Sequence, residues 1–222
     1  MRNGAVAALS FEQEEMEAIN LTVKISAVTH FAPEPVLCCV IHTLLIRKAM
    51  RHHLCGEGLL KSPEFAEIEE IVKGDWKKWK ESTKDKDTLF WLRETRDAMK
   101  TAETKVLNEL EGFNNFDPFS FFYKGVSGYC TLTLKISLWA LHWSFSENIP
   151  KVPEWLPEWP FKEKKFESIM SVVLIGADSD TYGATAGPLL AAYHPSIPES
   201  YLEALKVVPL VKKHIFEPPN KF

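Results

Sequence analysis

Apolar residues recur at intervals of three and four along most of this chain, the spacing that lines one face of an α-helix. Phe11 to Met50 reads as two helices broken near Phe31-Ala-Pro-Glu-Pro35. The second, Val36 to Met50, is apolar on nearly every side, which predicts a helix buried all round. Cys130 to Phe145 is a second candidate of that kind, and Phe166 to Gly176 and Gly183 to Tyr193 predict further helices. No βα alternation is evident, so the expected fold class is all-α. At 222 residues the chain is long enough for one large domain.

Residues 57–112 differ in character. They hold 14 acidic and 11 basic side chains, 25 of the chain's 56 charges in a quarter of its length. The signs alternate, as in Lys77, Lys78, Lys80, Glu81, Lys84, Asp85, Lys86 and Asp87, which predicts solvated helix faces. Trp76, Trp79, Phe90, Trp91 and Leu107 are expected to dock those helices onto the body. Gly112 to Ser127 is rich in turn residues. Residues 148–161 carry Pro150, Pro153, Pro157 and Pro160 around Trp155 and Trp159. That stretch reads as an ordered loop packed by its tryptophans in preference to a ligand for a proline-reading module.

Net charge is −4 with a pI near 6.0, which argues against a generic nucleic-acid binder. No stretch approaches the roughly 18 apolar residues of a membrane helix, so no membrane partner is expected. The run Ala5 to Leu9 is followed at once by Glu12, Glu14 and Glu15, unlike a secretory signal. The four cysteines form no CxxC pair and read as reduced thiols of a cytoplasmic protein, with the nucleus left open.

One segment concentrates the chemistry. Asp178, Asp180 and Thr181 put two carboxylates and a hydroxyl within four residues, between an apolar run and a helix of small residues. Hard oxygen donors of this kind suit Mg²⁺, Mn²⁺ or Ca²⁺. An Asp at a helix cap beside a small-residue packing face is the competing reading. An EF-hand is excluded, because Tyr182 and Leu189 fall where that loop needs a ligand and a bidentate Glu.

Gly176-Ala-Asp-Ser-Asp-Thr181, continuing through Gly183-Ala-Thr-Ala-Gly187 to Ala192-Tyr193 and Ile197-Pro198, resembles the C-terminal signature of the ADP-ribosylglycohydrolase family. That family includes dinitrogenase-reductase-activating glycohydrolase and the J1 crystallins. Its pattern is GGD-(S/T)-DT, a small-residue helix, a tyrosine and an IP turn; here Ala177 replaces the second glycine. In the same order, Arg2-Asn3-Gly4-Ala5 resembles the family's GNGA(x)MR stretch, Thr29-His30 followed by Pro33 its TH-x-x-P element, and Gly125-Val-Ser-Gly128-Tyr129 its nucleotide-side segment. Read singly, His30 is equally a helix-end histidine and Tyr129 a core aromatic with one hydroxyl partner.

The resemblance implies an all-α orthogonal helical bundle that cleaves the glycosidic bond of ADP-ribosylated substrates with two divalent ions, Mg²⁺ or Mn²⁺. By it, Asp178, Asp180 and Thr181 are metal ligands, and Asn3, Gly4, His30, Gly128 and Tyr129 face ADP-ribose or an ADP-ribosylated protein. The family's GDA(x)G helix and T-D-D segment, which supply the other half of the metal site, have no counterpart, and Thr-Asp-Asp occurs nowhere. The expectation is therefore a single partial domain over 1–222, lacking the N-terminal helices, with weak or no turnover by itself. The alternative is a non-catalytic ADP-ribose-binding or J1 crystallin-like structural protein. Missing helices would also uncover Val36 to Met50 or Thr131 to Phe145 and promote self-association.

Overall fold

Pro33 decides where the central helix begins. A residue before proline is pushed out of the helical region, and Ala32 is extended (φ −109°, ψ 147°), so the chain turns and α3 starts at Pro33. Helix α1 (Asn3–Leu9) and α2 (Glu15–Ala27) precede it, and α3 runs Pro33–Cys55. Gly56 ends α3 in the left-handed region at φ 71°, its N–H donating to the His52 carbonyl at 3.1 Å. The computed structural model describes residues 3–56, 60–119, 129–146, 168–176, 178–196, 199 and 203. The proline- and tryptophan-bearing stretch 148–161 lies outside them. All regular structure among the described residues is helical, as the apolar spacing predicts.

The charged region folds into α4 (Phe65–Glu70), a wider π-helical stretch (Ile71–Trp76), α5 (Lys77–Ser82), α6 (Lys86–Glu94) and α7 (Arg96–Leu110). Its charges pair across solvated faces, Lys73 with Glu69 at 2.5 Å, Lys80 with Glu103, and Lys48 with Glu67. Such exposed pairs contribute little individually. The tryptophans dock the region: Trp76 and Trp79 are buried and stacked at 4.8 Å, and the Trp76 indole N–H donates to Glu103 at 2.8 Å. Trp91 is buried against Phe31 at 4.7 Å, and Leu107 packs on the core. Phe90 does not dock. It stays 59% exposed beneath the Arg93 guanidinium, because consecutive helical positions point about 100° apart and Trp91 takes the inward one.

Helix α8 (Cys130–Phe145) matches the predicted apolar helix, and α9 (Ser168–Leu174) and α10 (Ser179–Tyr193) follow. One core joins residues from Ala7 on α1 to Tyr193 on α10. Val36, Leu37, Val40, Ile41 and Leu45 of α3 are buried, as are Leu134, Ile136, Leu138 and Leu141 of α8. The expected uncovered face on these two helices is therefore not found: α1, α2, α7, α8 and α10 pack around α3, and α9 and α10 cover α8.

Burying α3 also buries polar groups. His42 is 2% exposed, and its Nε2–H donates to the Thr185 carbonyl of α10 at 2.9 Å, since a carbonyl can only accept. Nδ1 meets no hydrogen-bond partner among the described residues. Burial, outweighing the Thr185 bond, lowers the His42 pKa to about 4. An unfolded imidazole takes up its proton near pH 6.5, so between pH 6.5 and 4 the unfolded state holds more protons and stability is lost as the pH is lowered. Full loss of this contribution is worth about 3 kcal/mol. Asp75 acts oppositely: burial first, and then Glu15, raise it to about 6, so its strain is relieved as pH falls below 6. Urea unfolding at pH 7 and pH 4.5 should show a net loss in acid for the parent chain. His42→Gln should lose much of that acid sensitivity, and Asp75→Asn should be neutral to stabilising at pH 7.

Candidate functional site

The turn into α10 is built around Gly176. Its φ of 75° is left-handed backbone that a side chain would strain, and its N–H closes α9 by donating to the Val173 carbonyl at 3.1 Å. Asp178 then occupies the capping position of α10. Its carboxylate, however, makes no capping hydrogen bond, so the competing cap reading fails at the atom that mattered. Asp178 and Thr181 are half-buried, and Asp180 is exposed in the first turn. Thr181 follows Asp178 by three residues, the spacing that sets two side chains over one face. Tyr182 beside them is fully buried, its phenol pushed up by burial first and then by the Asp178 charge.

Oxygen-only donors, with a carboxylate that makes no capping bond, fit a hard divalent cation in kind. Two carboxylates and a hydroxyl are fewer than the roughly six to eight ligands such an ion takes. Among the described residues no group of three or more His, Cys, Asp or Glu gathers to complete the set. The Asp85-Lys-Asp87-Thr88 run offers no substitute. Asp85 accepts from the Thr88 N–H at 2.9 Å as the cap of α6 and pairs with Lys24 at 3.3 Å; those partners, the Thr88 N–H first, hold its pKa down to about 2.

The packing sorts the remaining candidates into two groups. His42 meets Thr185 and His53 meets the Tyr193 carbonyl, so α3 and α10 run in the same direction. Ser144 at the end of α8 hydrogen-bonds His194 just past α10, and Lys105 bridges Tyr129, the residue before α8, to Glu34 in the first turn of α3. The three helices are therefore parallel, with Pro33, Cys130 and Ser179 opening them at one end. Asp178, Asp180, Thr181 and Tyr129 lie at that end, and His30 in the link entering it. Tyr129 is not a core aromatic. It is 41% exposed, its hydroxyl accepts from Lys105 Nζ at 2.6 Å, and Nζ sits 4.7 Å over its ring. Lys105 also pairs with Glu34 at 3.0 Å, which pushes its pKa up. Nothing local in the sequence singled Lys105 out among its charged neighbours. His30 is exposed, and its backbone N–H donates to the Ser26 carbonyl at 2.9 Å, closing α2.

Asn3 and Gly4 sit elsewhere. The Asn3 amide donates to the Cys39 carbonyl at 3.2 Å, on the second turn of α3. A Cβ on Gly4 would lie 2.5 Å from Pro188 Cβ, so Gly4 is a contact between α1 and α10. Pro188 comes ten residues after Asp178, a helical rise of about 15 Å. Gly128 lies outside the described residues.

A family model described as ADP-ribosylglycohydrolase matches residues 1–217. Neither the curated proteins nor the solved structures compared with this chain give a match.

The α1–α10 contact generates a direct test. Ala is the better helix former by about 1 kcal/mol, but the Pro188 ring cannot rotate away. Gly4→Ala should therefore destabilise by about 1–3 kcal/mol in urea unfolding. Gly183→Ala, where no atom lies within 4 Å of the added Cβ, should be neutral or stabilising.

Proposed function

The chain belongs to the ADP-ribosylglycohydrolase family, a glycohydrolase family that acts on ADP-ribosylated substrates, and from that premise we propose that it recognises an ADP-ribose group at the end of the bundle where α3, α8 and α10 begin. The observation that carries this reading is the Asp178 carboxylate, which stands at the start of α10 uncommitted to capping it. Asp178, Asp180 and Thr181 would hold Mg²⁺ or Mn²⁺, and a divalent ion there would supply Lewis acidity and a bound water of lowered pKa.

The rest belongs to the chain's own side chains. The half-exposed Tyr129 ring, held at its hydroxyl by Lys105, offers an apolar face on which a purine can stack. His30, exposed in the link to α3, offers a ring nitrogen to ribose or phosphate. Three helix starts at one end add partial positive charge suited to a diphosphate. Asn3 and Gly4 act on this site by seating α1 against α3 and α10.

Binding with little or no turnover is the form of this function that the donor count favours. Ligand charge sets divalent-ion affinity, and no third acid joins Asp178 and Asp180 among the described residues. None of their helices is long and apolar enough to cross a membrane. The four unpaired cysteines accord with a reducing, cytoplasmic setting.

Titration with ADP-ribose, with and without Mg²⁺, should show magnesium-dependent binding by calorimetry. Asp178→Asn should weaken Mg²⁺ affinity about tenfold or more. Identical magnesium dependence in that variant would remove Asp178 from the site. Release of ADP-ribose from a modified protein should be very slow; fast release abolished in Asp178→Ala would show that three donors suffice and overturn the low-turnover half of the reading.

A further inference from the structure

Lys105 of α7 joins two helix starts that lie far apart along the chain. Its ammonium reaches Glu34, in the first turn of α3, at 3.0 Å, and the hydroxyl of Tyr129, the residue before α8, at 2.6 Å. Glu109, one turn on along α7, stands 3.9 Å away. Glu34 is a firm anchor, because a carboxylate in a first turn is stabilised by the helix's positive end, and its side chain is only 23% exposed. Separate bonds hold the start of α8 on α7. The Thr131 hydroxyl donates to the Glu109 carboxylate, and Lys135 Nζ donates to the Glu109 and Glu111 carbonyls at 2.7 and 3.0 Å. Lys105 adds the hold on the Tyr129 side chain. An ammonium has three donors and no acceptor, so it fills a lone pair of the Tyr129 oxygen and leaves the phenolic proton unused. That hydroxyl donates to no acceptor among the described residues, and Tyr129 is 41% exposed. Lys105 and Glu109 also line an open groove of about 530 Å³ along α7, which leaves room at the ammonium.

We propose, resting on the ADP-ribose reading above, that Lys105 is a positioning residue for the nucleotide: anchored on Glu34, it fixes the Tyr129 ring and turns the phenolic O–H toward an oxygen of the bound ligand. A tyrosine ring swings on two side-chain torsions, and a bond at its far end restrains both. The ammonium also draws charge from the phenolic oxygen, which makes the O–H a stronger donor. With a purine stacked on the ring, the acceptor is a ribose or phosphate oxygen continuing from that base. A ring fixed in advance has less freedom to lose when the ligand arrives. Lys105 thus acts on affinity through Tyr129 and not through the oxygen donors at the start of α10. Glu34 acts one step further back by holding Lys105, and the ammonium beside it offsets a carboxylate that would otherwise repel a diphosphate.

The test is calorimetric titration of the full chain with ADP-ribose in Mg²⁺, for the parent, Lys105→Met, Tyr129→Phe and the double variant, with Mg²⁺ titrated alone and urea unfolding run alongside. Lys105→Met should weaken ADP-ribose binding about fivefold, the loss of roughly one net hydrogen bond. Tyr129→Phe keeps the ring but has no hydroxyl for Lys105 to hold, and should lose at least as much. The double variant should bind no more weakly than Tyr129→Phe, because both changes break one interaction. Mg²⁺ affinity and the urea midpoint should match the parent, since partly exposed ion pairs contribute little to stability. ADP-ribose affinity unchanged in Lys105→Met, in a parent that does bind, overturns the role of Lys105 and leaves the ADP-ribose reading standing. So do losses that add in the double variant, or a fall in Mg²⁺ affinity or urea midpoint that accompanies the loss of ADP-ribose. A parent chain that fails to bind ADP-ribose overturns both.

Discussion

Helix α3 has almost no side to give to water, and the rest of the structure follows from that. Over its first four turns Val36, Leu37, Cys38, Val40, Ile41, Leu44, Leu45 and Ile46 point in every direction and are all buried. A cylinder apolar all round is stable only when ringed, and α1, α2, α7, α8 and α10 form the ring. Each fully buried Val, Leu or Ile is worth roughly 1.5–3 kcal/mol, so the ring is driven mainly by this one helix. The same burial desolvates His42 and Arg47. The structure answers with carbonyls from outside α3, Thr185 for His42 and Gln13 for Arg47 at 2.6 Å.

Close approach to α1 and α9 sets the composition of α10. Gly4 meets the Pro188 ring, and Gly187 would place a Cβ 3.1 Å from Ile169 Cδ1, so both contacts depend on missing side chains. Pro188 lacks an N–H and interrupts the helix's own hydrogen-bond ladder, which larger neighbours would make harder to pack. The small residues after Thr181 thus serve packing, and the oxygen donors before them occupy the first turn. Seating α10 parallel to α3 and α8 carries those donors to the end of the bundle that also holds Tyr129, Glu34 and Lys105.

Much of the helix pattern was legible because it is local. Proline placement located the break before α3, apolar density located α8 residue for residue, and mixed charge located the solvated faces of α4 to α7. Tryptophan size signalled Trp76, Trp79 and Trp91 as anchors, yet the same logic failed for Phe90, since which of two adjacent aromatics faces inward depends on the helix's rotation against its neighbours. The carboxylate and hydroxyl donors were legible as a cluster. Whether Asp178 spends its oxygens on the helix cap was not, because cap geometry depends on the turn around Gly176. Tyr129 looked like a core residue by type and became half-exposed because α8 begins there, at the open end of the bundle.

Chain order alone therefore settled the all-α class and the buried character of α3 and α8, and it set Asp178, Asp180 and Thr181 within four residues of each other, all of which depend on residues within a turn or two. Tertiary structure decided the pairings across long separations. These are Gly4 with Pro188, Lys105 with Glu34 and Tyr129, and His42 with Thr185. No local spacing encodes them, because each is fixed by the relative direction and rotation of whole helices, and those settle only when every face of α3 is covered at once.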